Sequence, residues 1–313
     1  MKIIFDFDGT LTDITHEHQF VLHFYEDVFE TRFGIHPKQF QHLYRTAHER
    51  IFSEPEKHGW LYGGRMSAYC DEDLFMDCAS VMTLLDVWKD DPPRGFEEIF
   101  QKTKGVSFIE IAEQAHEAMR EQPLTPLNTP EAGSISMIQR MIKNGDEVVI
   151  VSNSSTDIIM KKCKFAGLDP VDHERDPSAQ FRVRGQARKY QLDDTPDLVT
   201  FGSRTVDVAR SSYRKIIEDE HPQFILGDVF SLDLALPITM ARKEPSLYND
   251  MQVYLIRRPY TSPWATEYIQ NTMNPNATPF LSIIQRHIFL LRNADCGMRN
   301  AELNLQNPNV TLK

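Results

Sequence analysis

Several features that define common protein classes are scarce in this chain. Its 313 residues include only four cysteines, none of them in a CxxC pair, so no disulfide framework is predicted. No apolar run approaches the roughly 18–20 residues that cross a bilayer, which excludes a membrane-spanning helix. Basic residues number 34 against 45 acidic ones, and the net charge of −11 argues against a general nucleic-acid binder.

The same scarcities favour a reduced, cytoplasmic environment. The cysteines are scattered along the chain, at Cys70, Cys78, Cys163 and Cys296. A signal peptide needs an uninterrupted apolar stretch near the N-terminus, whereas carboxylates stand at positions 6 and 8. We therefore expect a cytoplasmic protein with no membrane partner.

The remaining composition is that of a folded protein. Hydrophobic residues make up 41% of the chain and charged residues 25%, which argues against disorder. At about 150 residues per domain, the length predicts two domains.

Residues 15–126 show a helical pattern almost throughout. Apolar residues recur there at three- and four-residue steps, in four stripes near residues 20–29, 40–51, 74–85 and 108–119. No strand signal interrupts these stripes, so we predict an all-helical insert over residues 15–126. An aromatic and glycine-rich segment at 60–65 is either a loop that contacts a substrate or an ordinary surface turn.

Short apolar strands alternate with helices on both sides of this insert. The predicted strands cover residues 3–5, 148–151, 224–226 and 253–256, and residues 180–209 form a pair of strands or a hairpin. Such alternation implies a parallel sheet with helices on both faces. We predict an α/β, Rossmann-like doubly wound core over residues 1–14 and 127–292, entered at the prolines 123, 126 and 130. Residues 293–313 are predicted to be a polar, poorly ordered tail.

Polar side chains stand directly after three of the predicted strands. They are Asp6 with Asp8, Ser152 with Asn153, and Asp228 with Asp233. In an open parallel sheet the carboxyl ends of strands meet in one crevice, so these residues are expected to lie together. Carboxylates in one crevice repel each other unless a cation lies between them, and a few oxygen ligands favour Mg²⁺. The pattern thus indicates a magnesium site acting on a phosphate group.

The same residues resemble the motifs of the haloacid-dehalogenase-like (HAD) hydrolase superfamily. The segment Asp6-Phe7-Asp8-Gly9-Thr10 is similar to the DxDGT motif, and Ser152 to the Ser/Thr motif that ends a strand. Gly227-Asp228 with Asp233 is similar to the GDxxxxD motif. The motifs occur in the family order over about residues 1–260, and a helical cap inserted after the first motif is a common family architecture.

The resemblance implies a role for each carboxylate. Asp6 would be the nucleophile that becomes an aspartyl phosphate, and Asp8 the general acid that later acts as base. Mg²⁺ would be held by the Asp6 carboxylate, the Asp8 main-chain carbonyl and Asp228. Asp233 would contact the metal through water or orient its ligands.

It also implies groups that bind the phosphate. The Ser152 hydroxyl and the Asn153 backbone N–H would hold the phosphoryl oxygens. The family's third motif is a lysine, usually at the start of the helix before the fourth motif. We choose Lys215 for that position because it is close to Asp228 in the sequence, and we keep Lys189 and Arg214 as alternatives.

Two further clusters are interpreted as solvated surface. His16, Glu17 and His18 are adjacent and would point in different directions on a helix, so they predict a solvated helix start, although one of them could line the crevice. The basic residues between 161 and 189 are likewise interpreted as a solvated face.

The sequence therefore predicts a Mg²⁺-dependent phosphatase that hydrolyses a small phosphorylated metabolite through an aspartyl-phosphate intermediate. A phosphotransferase such as a sugar phosphomutase would keep the same core residues. A dehalogenase would have no need of the proton transfer by Asp8. The remaining alternative is a catalytically idle regulatory protein, against which the intact set Asp6, Asp8, Ser152 and Asp228 argues.

Overall fold

A parallel sheet organises the computed structural model, which describes residues 1–120 and 134–272. The described strands are β1 (Lys2–Phe5), β2 (Gly59–Tyr62), β3 (Arg65–Tyr69), β4 (Glu147–Val151), β5 (Val171–Asp172), β6 (Phe181–Arg184), β7 (Leu198–Phe201), β8 (Arg204–Asp207), β9 (Phe224–Gly227) and β10 (Gln252–Leu255). Six of them form the central sheet in the order β10-β9-β1-β4-β6-β5, and every neighbouring pair is parallel. The predicted α/β class with a parallel central sheet is thus confirmed, and this sheet is consistent with a Rossmann-like core.

The centre of this sheet fixes where the polar residues lie. Phe5 of β1 is paired with Ile150 of β4 on one side and with Leu226 of β9 on the other. After the partly exposed first residues Lys2, Glu147 and Phe224, the residues of all three strands are apolar and buried, as expected for a sheet covered on both faces. Because the strands end level with one another, the residues that follow them meet at one edge.

Helices fill most of the remaining described chain. They are α1 (Thr15–Phe33), α2 (Pro37–Ser53), α3 (Leu74–Trp88), α4 (Glu97–Lys102), α5 (Phe108–Arg120), α6 (Ser134–Lys143), α7 (Thr156–Phe165), α8 (Ser211–Glu220), α9 (Ala235–Lys243), α10 (Pro245–Tyr248) and α11 (Pro263–Thr272). One turn of π-helix, Phe230–Leu234, follows β9. Local signals set several boundaries: Gly34 ends α1 in the left-handed conformation, and Asp73 caps α3 by accepting from Phe75 N at 2.7 Å.

Helices α1 to α5 enclose a hydrophobic core of their own. Its buried members come only from residues 21–115, and Tyr25, Phe29, Phe40 and Phe108 are among the largest. The main cluster beneath the sheet is separate and centres on Val149, Ile225 and their neighbours. Both clusters belong to one compact unit, Met1–Ile269.

The prediction that the insert is all helical is wrong at residues 59–69. Strands β2 and β3 form an antiparallel hairpin there, joined by Gly63 and Gly64. Both glycines have positive φ, 55° and 78°, which is what a two-residue hairpin turn of the tight, mirror-image type requires. The segment 60–65 is therefore a hairpin, and its glycine pair was the available signal.

The segment 180–209 contains more than a simple pair of strands. Its first strand, β6, joins the central sheet in parallel, whereas β7 and β8 form an antiparallel hairpin outside that sheet. The prolines at 123, 126 and 130 and the predicted tail at 293–313 lie outside the described residues. Among the helices of the described chain, none has the length and apolar character needed to cross a membrane.

Candidate active site

Three buried carboxylates meet at the carboxyl edge of the sheet. Asp6 follows β1, Asp228 follows β9, and Asp233 lies in the π-helical turn just beyond. A carboxylate oxygen from each lies within 4.8 Å of the others. The structure thus brings together three of the residues that the sequence singled out, although they are up to 227 positions apart in the chain.

Hydrogen bonds from neighbouring groups hold the carboxylates of Asp228 and Asp233 in place. The Thr10 hydroxyl donates to Asp228 Oδ1 at 2.8 Å, and the Tyr260 hydroxyl donates to Oδ2 at 3.2 Å. The Val229 N–H donates to Asp233 Oδ2 at 3.0 Å. These contacts hold both side chains with oxygens directed toward Asp6.

Lys189 is the ammonium group of this cluster. It is 1% exposed, and its Nζ donates to Asp6 Oδ1 at 2.7 Å and to Asp233 Oδ1 at 2.8 Å. The backbone of Lys189 is held as well, since its N–H donates to Asn153 Oδ1 at 2.8 Å and its carbonyl accepts from the buried Arg210. Because hydrogen bonds hold both its backbone and its side chain, Lys189 has a fixed position in this cluster.

The choice of Lys215 as the site lysine is corrected to Lys189. The Lys215 side chain is 73% exposed and donates to Asp219 one helical turn further along α8, at 3.2 Å. Helix α8 buries its opposite face, including Tyr213 and Ile217, so Lys215 points away from the sheet edge. The other alternative, Arg214, is also remote, because it pairs with Glu218 and Glu244.

The single positive charge of Lys189 does not neutralise the three carboxylates Asp6, Asp228 and Asp233. Burial, together with the charges of Asp233 and Asp8, raises the pKa of Asp6 to about 8, although Lys189 acts in the opposite direction. Burial, with Asp6 and Asp233 nearby, also raises the pKa of Asp228 well above its usual range. Burial disfavours a charged Lys189, but the adjacent carboxylates outweigh it and raise the pKa of this lysine. A further cation would relieve this repulsion, and an all-oxygen donor set suits Mg²⁺.

Asp8 lies beside this cluster, where it faces an open cavity. Its side chain is 34% exposed, and its Oδ2 accepts from the hydroxyls of Ser154 at 2.6 Å and Ser152 at 3.3 Å. The Ser152 hydroxyl accepts from Ser154 N–H at 3.1 Å. Of the strand-end pair, Ser152 therefore contacts Asp8, while the Asn153 side chain holds the backbone of Lys189.

Glu17 is not the solvated residue that the sequence suggested. It lies in the first turn of α1 and accepts from Lys162 Nζ of α7 at 2.8 Å. The Lys162 ammonium is also 3.9 Å from Asp8 Oδ1 and is largely buried. This ion pair joins the start of α1 to α7, which follows β4 at the sheet edge. His16 lines the cavity nearby.

A cavity of about 1100 Å³ opens beside Asp6 and Asp8. The sheet edge contributes Ser152, Asn153 and Lys162 to its lining, and helices α1, α3 and α5 line it as well. A small organic molecule fits in a space of this size. Asp6, Asp8 and Asp233 are therefore accessible to a ligand from the cavity.

Several of these residues were not chosen from the sequence, and Lys189 was kept there only as an alternative. Lys189 follows β6 by five positions, so the strand-end rule that located Asp6 and Asp228 could have located it too. Ser154 adjoins a predicted residue. Tyr260 and Arg258 gave no signal, yet Arg258 Nη2 donates to the Thr10 carbonyl at 2.8 Å and supports the loop after β1.

Comparisons with known proteins find no protein-family model and no curated sequence that matches this chain. We therefore infer its function from the arrangement of these side chains and from the sequence motifs.

Proposed function

We propose that the protein is a Mg²⁺-dependent phosphatase of the HAD type, which hydrolyses an organic phosphate monoester through an aspartyl phosphate on Asp6. The observation that carries this proposal is the position of the Asp6 carboxylate. It is in contact with Lys189, lies within 4.8 Å of Asp228 and Asp233, and shares one cavity with Asp8.

The donor set fits a magnesium ion. Asp6, Asp228 and the Asp8 main-chain carbonyl would hold it, and the ion would offset the charge of the phosphate oxygens. Asp233 Oδ1 accepts from the Lys189 ammonium and its Oδ2 from Val229 N–H, whereas both oxygens of Asp228 accept from neutral hydroxyl groups, which a cation displaces more readily than a paired ammonium. Asp233 is therefore better suited to orienting Lys189 and the other ligands than to binding the metal directly.

Asp6 and Asp8, two residues apart, have different roles in the proposed reaction. In the first step an Asp6 carboxylate oxygen attacks phosphorus, the ester P–O bond breaks, and Asp8 gives its proton to the leaving oxygen. In the second step Asp8 takes a proton from water, the resulting hydroxide attacks phosphorus, and the bond to Asp6 breaks. The products are an alcohol and inorganic phosphate, and both aspartates return to their starting state.

Other side chains hold the reacting groups in place. Lys189 neutralises part of the charge on Asp6 and the phosphoryl group. The Ser152 hydroxyl and the Asn153 backbone N–H would bind phosphoryl oxygens, whose charge changes during transfer. Ser154, at 2.6 Å from Asp8 Oδ2, orients the proton donor.

The helical insert would serve as a cap over this site. Its residues line the cavity opposite the sheet edge, and the Glu17–Lys162 ion pair joins the two sides. We propose that the insert excludes bulk water while the phosphoenzyme forms.

Metal removal tests the proposed function directly. We expect phosphate release from a broad panel of phosphate monoesters, measured with Mg²⁺ present, to fall by at least about 1000-fold in EDTA and to return when Mg²⁺ is added in excess. Potassium ions should not restore activity, because a monovalent ion cannot balance the carboxylates. Equal rates with and without the chelator, or no release from any ester, would contradict the proposal.

Gly9 offers a test of the metal site that does not depend on the substrate. A Cβ added to Gly9 would lie 2.0 Å from Asp228 Oδ2 and 2.8 Å from the Tyr260 hydroxyl, so Gly9→Ala must displace the Asp228 carboxylate. We expect wild-type protein to be stabilised by about 2.7 kcal/mol when Mg²⁺ is at 100 times its Kd, and Gly9→Ala to lose most of this stabilisation.

The matched control for this variant is Gly34→Ala. Gly34 also has a positive φ, 63°, but nothing lies within 4 Å of its added Cβ. This change should lower the free energy of unfolding by about 1 kcal/mol through backbone strain alone. Thermal unfolding with and without Mg²⁺ should show the full Mg²⁺-dependent increase in Tm for Gly34→Ala. If Gly9→Ala also showed the full Mg²⁺-dependent increase in Tm, Asp228 would not be a ligand of the metal.

A further inference from the structure

The cavity beside Asp6 has two walls of different chemistry. The sheet edge presents carboxylates, hydroxyls and the Lys162 ammonium. The wall formed by residues 15–126 contains charged and polar side chains and also six large apolar ones: Phe20, Trp60, Phe75, Met76, Ile109 and Met119. A phosphate monoester bound with its phosphoryl group at Asp6 would therefore have apolar side chains within reach of the rest of its structure.

Helix α5 contacts both the core of the insert and the cavity. Its buried face, with Phe108, Ile111 and Ala115, packs in that core. Its cavity-lining residues include Ile109, Ala112, His116 and Met119, at steps of three and four residues, and of these Ala112 and Met119 also pack in or against the core. Ile109 is 42% exposed. Large apolar side chains gathered at a cavity, rather than scattered over the surface, are typical of a ligand-binding wall.

Several polar groups of this wall already have partners within the protein: Glu17 accepts from Lys162, and Asp73 accepts from the Phe75 and Met76 N–H groups. The Thr83 hydroxyl already donates to the Ala79 carbonyl within α3, at 2.8 Å. His116 packs its ring edge-on against Phe75, with centroids 5.4 Å apart. The charged residues of α5 at the cavity, Glu113, Glu117 and Arg120, are at exposed positions. Sugar hydroxyls placed against the apolar wall would lose hydrogen bonds to water without replacement.

We propose that the alcohol part of the substrate is apolar, so that the protein acts on alkyl or aryl phosphate monoesters in preference to sugar phosphates. This inference rests on the proposed phosphatase function and specifies its substrate class. The phosphate end of the ligand is recognised by the charged sheet edge, and the alcohol end by burial against α1, α3 and α5.

A series of n-alkyl phosphates measures this preference. Each methylene that leaves water for the apolar wall should raise kcat/KM by about fourfold, the equivalent of about 0.8 kcal/mol, which amounts to about 60-fold from ethyl to pentyl phosphate. Glucose 6-phosphate should be hydrolysed with a lower kcat/KM than pentyl phosphate. We expect the ratio of pentyl to ethyl phosphate to fall several-fold in Ile109→Ser, because a polar side chain then replaces part of the wall.

The control is Leu247→Ser, which alters an apolar residue that is 65% exposed and does not line the cavity, and it should leave the ratio unchanged. If kcat/KM does not rise with alkyl chain length, or is higher for glucose 6-phosphate than for pentyl phosphate, the proposed substrate class is wrong. The phosphatase function would still stand. An unchanged ratio in Ile109→Ser would show that α5 is not the binding wall. No Mg²⁺-dependent hydrolysis of any ester would overturn both proposals.

Discussion

Asp6→Asn is expected to reduce Mg²⁺-dependent phosphate release by at least about 10⁴-fold, because an amide oxygen is a poor nucleophile and no other carboxylate occupies its place. The change is nearly isosteric, and Lys189 keeps its contact with Asp233. We therefore expect the variant to remain folded, with a circular dichroism spectrum like that of the wild type. Steady-state phosphate release from the best ester of the panel measures the effect.

Asp13→Asn is the matched control. Asp13 lies in the same loop after β1, but its carboxylate caps the start of α1 by accepting from Thr15 N–H at 2.9 Å. Its activity should stay within about twofold of the wild type, since surface changes of this kind have small effects. Loss of activity in Asp13→Asn, or an active Asp6→Asn variant, would contradict the role of Asp6.

Substrates with different leaving groups test whether Asp8 is the proton donor. Asp8→Asn should lower kcat/KM, which reports the steps up to formation of the phosphoenzyme, far more for an alkyl phosphate than for p-nitrophenyl phosphate, whose leaving group departs without a proton. Equal losses with both substrates would mean that Asp8 does not protonate the leaving oxygen in the first step.

Lys189→Met and Lys215→Met should separate the buried lysine from the exposed one. The first change leaves three carboxylates without their ammonium partner, so we expect at least about a 1000-fold loss of activity. Breaking a buried ion pair typically costs about 3–5 kcal/mol, so we also expect a lower free energy of unfolding without Mg²⁺. Lys215→Met removes only an exposed pair with Asp219 and should change stability by less than about 1 kcal/mol.

Urea unfolding and phosphate release, each with and without Mg²⁺, measure both effects. Lys189→Arg provides a second variant in case the methionine does not fold, because it keeps the charge but not the compact shape of the ammonium. It should fold and remain impaired in catalysis. Wild-type activity in Lys189→Arg together with loss in Lys215→Met would restore the original sequence-based choice.

The sequence was informative where local pattern and topology coincide. The apolar runs of β1, β4 and β9 each end in polar residues, and the rule that parallel strands end at one edge was enough to expect Asp6, Ser152 and Asp228 together. The choice of Lys215 was wrong, because closeness to Asp228 in the sequence does not determine which face of a helix a residue occupies. The exposed face of α8 depends on its packing through Tyr213 and Ile217, which is a tertiary property.

Other features were beyond the sequence for similar reasons. The hairpin at 59–69 was obscured by the helical stripes around it, and only the Gly63-Gly64 pair indicated a turn. The Glu17–Lys162 ion pair joins residues 145 positions apart on two different helices. The large apolar side chains that residues 15–126 contribute to the cavity come from three helices and from Trp60 of β2, and no single stripe in the sequence determines how these elements pack. These long-range contacts required the three-dimensional structure.

Binding of beryllium fluoride tests the central claim that Asp6 accepts a phosphoryl group. Trifluoroberyllate bonds to a carboxylate oxygen and imitates an aspartyl phosphate, so no knowledge of the substrate is needed. With Mg²⁺ present, we predict bound ¹⁹F signals in the NMR spectrum of the wild type and of Asp13→Asn, and none in Asp6→Asn. Bound signals of equal intensity in Asp6→Asn, or none in the wild type at any Mg²⁺ concentration, would contradict the account.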